Sequence, residues 1–365
     1  MLIFVKITLM KILIGSAHAG GGHNSIAKVL QSALNDLNPL LDNEIYHVQG
    51  KKAGIYYRLF GVKTFNHFYH RTNNLIGREI ALLLIEQIVI REIKKMINKK
   101  HPDLVLAVYP FYGQTLAKLK VPYVTFVTDP FLFHSVWADT ESKYLVVFSQ
   151  EAKKRAQKFL VPDKKIIFYP FPLKNEFFIK KDLNNLKNQY KIKKNEFVLT
   201  IGGSGDGMER SQIICKYLHQ TNLPFKAFVI CGKNLLLRTK LKTRLYLDKR
   251  FEIIGFTDKI DEYLRISDLF VGKVGANILF ECLQLTLPIL TTIPFFGQED
   301  GNREFILKEK IGWVEKEPKS VVRLIIQLIQ NPAFLKRKRH KMTKIKDQYV
   351  TSSDNIKPLL KKLIN

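Results

Sequence analysis

The sequence predicts an α/β protein built from two doubly wound parallel-sheet domains that face each other across a cleft. Three observations predict it. Short runs of β-branched, buried-type residues alternate with helical stretches, the rhythm of a parallel sheet covered on both faces. That rhythm breaks once, at Tyr169-Pro170-Phe171-Pro172, and then starts again. The length of 365 residues gives each of two domains enough chain to bury a core of its own.

The elements follow in order. Residues 11–15 read as the first strand, 24–37 as a helix, 44–48 as a strand, and the stretch 56–100 as helices. Strands are expected at 104–108, 123–127, 144–148 and 165–168, with a helix at 151–159 between the last two. The proline pair and the polar stretch 180–195 mark the domain boundary. A second series runs through strands at 197–201, 225–231, 251–254, 269–271 and 289–292, and a last helix is expected at 353–364. The division is therefore 1–175, 176–345 and a C-terminal helix, 346–365, that packs back on the first domain. Ligands of such sheets bind at the carboxyl ends of the strands, which directs attention to the loops there.

Composition narrows the function. The 59 Lys and Arg against 32 Asp and Glu leave a formal charge of +27, which calls for a polyanionic neighbour: nucleic acid, an anionic membrane or a phosphorylated substrate. Between Lys51 and Lys100 eleven basic residues face only Glu79, Glu86 and Glu92, interleaved with Tyr56, Tyr57, Phe60, Phe65, Phe68 and Tyr69. A second cluster runs from Lys336-Arg337-Lys338-Arg339 through Lys346. Cations mixed with rings suit a membrane interface, and equally a solvated helix face. No zinc-finger or aromatic RNA-binding motif accompanies the charge, so nucleic acid is not an expected partner. No run is long and apolar enough for a membrane-spanning helix. Cys215, Cys231 and Cys282 form no CxxC and no even set, which fits a reducing cytosol. The first residues, MLIFVKITLMKILIG, lack a small-residue cleavage site, and their KILIG part reads as a buried strand.

Two glycine-rich turns stand at strand ends. Gly20-Gly21-Gly22-His23 follows the first strand and opens the first helix, and Gly202-Gly203-Ser204-Gly205-Asp206-Gly207 opens the second domain. Glycines bring backbone close to a ligand, and a helix N-terminus offers free N–H groups. Neither the P-loop nor the GxGxxG pattern fits the first turn, because Gly21 stands where the P-loop lysine belongs. What is left is His23, an imidazole suited to take a proton near neutral pH or, alternatively, to cap the helix. Two such turns, one per domain, suit a donor on one side and an acceptor on the other.

Six segments in order resemble the monogalactosyldiacylglycerol synthase and processive diacylglycerol glucosyltransferase family: KILIGSAHAGGGH, VTDPFLFHSVW, LTIGGSGDGM, VICGKN, GFTDKIDEYLRISDLFVGKVGANILFE and LPILTTIPFFGQEDGN, which together span residues 11–302. The resemblance implies the GT-B fold, two Rossmann-like domains, and transfer of a hexose from a UDP-sugar to diacylglycerol or a glycosyl-diacylglycerol with inversion. It implies a cytoplasmic enzyme lying peripherally on the inner face of an anionic membrane, with the acceptor in the first domain. Alternatives are a UDP-GlcNAc transferase acting on a polyprenyl-linked acceptor, a UDP-sugar epimerase, or a non-catalytic lipid- or nucleotide-binding relative.

Carried over by position, His23 is the candidate base, with Asp129 of the TD…H motif beside it. Gly21, Gly22, His134 and Trp137 are expected at the acceptor. Gly203, Ser204, Asn234, Phe256, Gly275, Ala276, Asn277, Glu281, Gln298, Glu299 and Asn302 are expected at the donor. Among these, Glu281 would hold the ribose hydroxyls and the main chain of Phe256 the uracil. Lys273 would add charge at the diphosphate. The sequence departs from the family at Lys273-Val274-Gly275-Ala276-Asn277-Ile278: the usual proline is Val274 and a small hydroxyl residue is Ile278. Asp206 also puts a carboxylate near the expected phosphates. No DxD occurs, so neither a metal nor another cofactor is expected, and helix N-termini and backbone N–H groups would stabilise the leaving group.

Overall fold

In a computed structural model, which describes residues 10–17, 21–48, 67, 69–203, 210–292 and 297–364, the chain divides into two compact units. The first takes in Met1–Lys174, Phe296–Gly301 and Thr351–Asn365; the second takes in Asn175–Phe295 and Asn302–Val350.

The first unit is a sheet of six parallel strands, β1 (Lys11–Ala17), β2 (Asp42–Val48), β3 (Leu104–Ala107), β4 (Tyr123–Phe126), β5 (Leu145–Val147) and β6 (Ile166–Phe168), in the order β2-β1-β3-β4-β5-β6. The order reverses between β1 and β3. Helix α1 (Gly21–Leu37) follows β1, and α2 (Leu75–Lys100) precedes β3. α1 starts three residues earlier than its apolar periodicity suggests, which places His23 inside its first turn. Every residue of β3 and β4 is buried, as expected of strands covered on both faces. The proline-containing segment at the expected boundary is itself a strand, β7 (Phe171–Leu173).

The second unit repeats the plan with β8 (Phe197–Gly202), β9 (Phe225–Ile230), β10 (Phe251–Ile254), β11 (Leu269–Gly272), β12 (Ile289–Thr292) and β13 (Gly312–Glu315), in the order β10-β9-β8-β11-β12-β13. Here the reversal falls between β8 and β11. Alternation along β8 feeds two cores: Leu199 and Ile201 join one with Ile214 and Leu241, while Val198 joins Phe228 and Tyr263 on the other face. The helices used below are α3 (Leu235–Leu245), α4 (Ala276–Gln284), α5 (Glu299–Lys308), α6 (Ala333–Tyr349) and α7 (Lys357–Ile364). β14 (Val350–Ser352) pairs with β7, and α7 packs on α1 within the first unit. The three cysteines are buried and unpaired.

Candidate active site

In a doubly wound sheet, the point where strand order reverses leaves a crevice outside the carboxyl ends of the strands. Both reversals here coincide with the glycine-rich turns.

At the first, His23 projects from the opening turn of α1 towards the end of β3. Its Nδ1 lies 2.8 Å from the Val108 carbonyl oxygen and 2.8 Å from Thr128 Oγ1. A carbonyl only accepts, so Nδ1 carries the ring proton and Nε2 is left with its lone pair. Burial pushes the imidazole down to about 4, against a smaller upward pull from the Val108 carbonyl, so the ring is neutral across the physiological range. Tyr109 stands edge-on to it at 5.4 Å between ring centres, and Trp137 lies 5.9 Å away, tilted by 36°.

Trp137 in turn donates its indole N–H to Asp129 Oδ2 at 2.9 Å. Burial raises the Asp129 carboxyl to about 6, the indole bond opposes this, and the negative charge of Glu299 adds to it. Asp129 and His23 are thus linked through one indole, which bonds the first and lies beside the second. Sequence reasoning missed Thr128, Val108 and Tyr109. Thr128 carries a detectable signal, since it stands just before Asp129 at the end of a buried strand, where the chain turns towards the ligand side.

Two acceptor expectations are revised. His134 is buried, with Nδ1 accepting from the Val136 N–H at 3.2 Å and Nε2 3.0 Å from Thr72 Oγ1. Nδ1 caps the turn Ser135–Trp137 and Nε2 ties it to Thr72, so both ring nitrogens of His134 are engaged within the loop. Trp137 is also buried and acts through Asp129 and His23. Gly21 and Gly22 lie in the first turn of α1, and the space beyond Gly22 is open.

At the second reversal, β8 and β11 run together at Gly202 and Gly272. Gly203 has φ +144°, and a Cβ there would come within 2.6 Å of the Lys273 carbonyl oxygen, so only glycine fits. Three residues past β11, Gly275 caps α4 without any side-chain bond, and the space beyond its Cα is open. The first N–H groups of α4, from Ala276 on, receive no side-chain cap from Gly275. Asn277 and Glu281, one turn apart, share the partly exposed face of α4, while Leu279, Phe280, Cys282 and Leu283 are buried on the other. Asn302, itself buried, donates from Nδ2 to the Val274 carbonyl at 3.1 Å and pins the loop. Ser204 lies outside the described residues, as do Gly20 and Gly205 to Gly207.

Residues 23–172 match the family model of monogalactosyldiacylglycerol (MGDG) synthase, and residues 197–353 match that of the glycosyltransferase family 28 C-terminal domain. The chain is a glycosyltransferase whose first half matches the one model and whose second half matches the other. A processive diacylglycerol beta-glucosyltransferase from Bacillus cereus is 23% identical to the glycosyltransferase over 356 residues, covering 92% of this chain and 89% of its own. A protein of the same name from Bacillus cytotoxicus is 23% identical over 362 residues, with the same coverage. Among solved structures, Anabaena HepE in complex with UDP and glucose superposes with a TM-score of 0.60 at 14% identity, over 97% of this chain and 98% of its own. The UDP-GlcNAc 2-epimerase from Neisseria meningitidis bound to UDP-GlcNAc does so with a TM-score of 0.66 at 13% identity, over 97% and 99%. These likenesses show the GT-B fold.

The remaining donor candidates of the glycosyltransferase are Gln298, Glu299, Asn234 and Phe256. Gln298 and Glu299 belong with the first unit, because Gly297, in the left-handed region at φ +39°, lets the chain pack against the ring of Tyr69. Gly301 then sits against Phe131 and Leu132. Only Asn302 of that loop goes with the second unit. Asn234 spends its side-chain oxygen on capping α3, accepting from the Leu237 N–H at 2.9 Å. The Phe256 ring is exposed, with the Lys233 ammonium over it at 5.6 Å. Among the described residues no group of three or more His, Cys, Asp or Glu is placed to hold a metal ion.

Proposed function

We propose that the glycosyltransferase moves a hexose from a UDP-sugar to the free hydroxyl of diacylglycerol, or of a glycosyl-diacylglycerol, at an anionic membrane surface, with inversion at the anomeric carbon. The observation that carries this reading is the fixed tautomer of His23. The Val108 carbonyl holds the proton on Nδ1, and Nε2 is a neutral base in a dry setting, ready to take the acceptor's hydroxyl proton as the new glycosidic bond forms. The leaving UDP would gather its charge on the N–H groups that open α4, with Glu281 accepting bonds from the ribose hydroxyls and no metal taking part.

The names of the Bacillus relatives support the lipid acceptor, and the UDP and UDP-sugar complexes of the fold neighbours support the nucleotide. The surface of α2 supports attachment to a membrane. No helix among the described residues is long and apolar enough to cross one. Yet Ile76, Ile80 and Leu83, spaced as one helical stripe, are 78%, 49% and 64% exposed, beside the exposed Arg71. The aromatic-rich residues 51–66 and Phe68 lie outside the described residues.

The test is incorporation. The protein is incubated with labelled UDP-glucose, UDP-galactose or UDP-GlcNAc and with liposomes of diacylglycerol in phosphatidylglycerol. A lipid-linked sugar with at least one donor is expected, and its absence with every donor sinks the proposal.

A further inference from the structure

A second cationic feature lies at the β13 edge of the second unit's sheet. The amino end of β13 and the outer face of α6 enclose a groove of about 600 Å³, in the size range of small-ligand sites. Lys310, Trp313, Phe334, Arg337, Lys338 and Lys341 line it, and no carboxylate does. Phe334, Arg337, Lys338 and Lys341 are spaced i, i+3, i+4 and i+7, so they form one helical stripe.

The heads of that stripe are pre-oriented. The Lys338 ammonium sits over the Trp313 ring at 4.9 Å, and the Arg337 guanidinium over Phe334 at 4.9 Å. Arg339, on another face of the same helix, is neutralised by Asp268 at 3.0 Å. Lys310, Arg337, Lys338 and Lys341 have no carboxylate partner among the described residues. Burial, with Lys310 and Arg337 close by, pulls the Lys338 ammonium below its usual range. A cationic hollow that its own chain leaves unneutralised is complementary to an anion of matching size.

The position separates it from the donor loops. β12 and β13 run parallel, with Ile289 opposite Gly312, so Lys310 and Trp313 stand towards the amino ends of the strands. The α4 turn lies at the carboxyl ends, at the reversal two strands away. We propose that this groove is a binding site for phosphate and diphosphate groups, distinct from the sugar-transfer site. The same chemistry is offered by a phospholipid headgroup and by a free phosphate compound.

Trp313 provides a local reporter. Tryptophan fluorescence of the full chain is titrated with pyrophosphate and, separately, with phosphatidylglycerol vesicles, and the signal of a Trp313→Phe variant is subtracted. A saturable Trp313 signal is expected, weakened about tenfold or more in an Arg337→Glu, Lys338→Glu double variant. A Lys240→Glu, Lys242→Glu variant makes the same charge change on α3 and is expected to keep the signal. Response to vesicles alone assigns a lipid headgroup, and response to pyrophosphate alone or to both assigns the phosphate group itself. No Trp313 response to either probe, or an equal loss in the α3 variant, overturns the proposal.

Discussion

The two strand-order reversals of this molecule are the same topological device filled in opposite ways. In the first unit the crevice is packed with side chains: His23, Tyr109, Thr128, Asp129 and Trp137 hold one another, and burial moves the titratable members by two pH units or more. In the second it is made of backbone: Gly203 and Gly275 clear space, and α4 supplies N–H groups in place of charged heads. A proton has to be taken from one defined direction, which demands rigid side chains. A diphosphate spreads its charge over many oxygens, which many weak backbone donors satisfy together. In the proposed reaction the first arrangement serves as the base and the second as the anion cradle.

The comparison breaks most sharply at His23. His23→Ala is expected to lower kcat by between about 100- and 10,000-fold while leaving UDP affinity, measured by calorimetry, within about twofold. A parallel loss of UDP binding would show that the two crevices do not divide the work. Glu281→Gln is the converse variant: the KM for the nucleotide sugar rises roughly tenfold or more, and kcat changes much less, as the steady-state kinetics of both constants would show.

Gly203→Ala tests the backbone cradle through stability. The alanine must adopt φ near +144° and meet the Lys273 carbonyl, so a loss of about 1–3 kcal/mol is expected, read as a lowered urea midpoint. Gly22→Ala, where the added methyl meets open space, is expected to be near neutral and is the control.

The smallest effect is a slope against pH. His23 and His134 are both held near 4, below the ordinary 6.5, so between those values the unfolded chain takes up protons that the folded chain refuses. Each therefore removes stability as pH falls through that window, by up to about 1.4 kcal/mol per pH unit. Asp129, raised to about 6, runs the other way, because the folded form protonates first and gains stability as pH falls below 6. For these three groups the net between pH 6 and 4 is one proton's worth of slope, lessened by Asp139, whose carboxyl burial also raises. Asp129→Asn should roughly double it, which urea titrations at several pH values would show.

Much of this was legible in the sequence, for reasons that individual residues make plain. The strands of the two sheet centres, such as Leu104–Ala107 and Phe197–Gly202, are short unbroken apolar runs, a pattern that only a sheet covered on both faces requires. β13 escaped because Gly-Trp-Val-Glu has neither that run nor an alternation, and its strand character comes from pairing with β12. β7 escaped because Pro172 reads as a break. The glycine run drew attention to His23, because glycines at a strand end let the opening of a helix come close to a ligand. The part played by His134 was hidden, because a residue's type does not reveal which of its atoms neighbours have already claimed. The chain continuity of residues 289–302 likewise concealed that Gly297 carries Gln298 and Glu299 to the first unit.

The return of the chain to α1 has a consequence for biosynthesis. Ile356, Leu359, Leu360 and Leu363 are buried in the first unit, and Lys357 pairs with Asp36 on α1, the helix that carries His23. These residues leave the ribosome only after the whole of the second unit has been made. Until then the part of α1 that packs on α7 is uncovered. A nascent chain can therefore complete the core of the second unit while the first still waits for its last piece to dock.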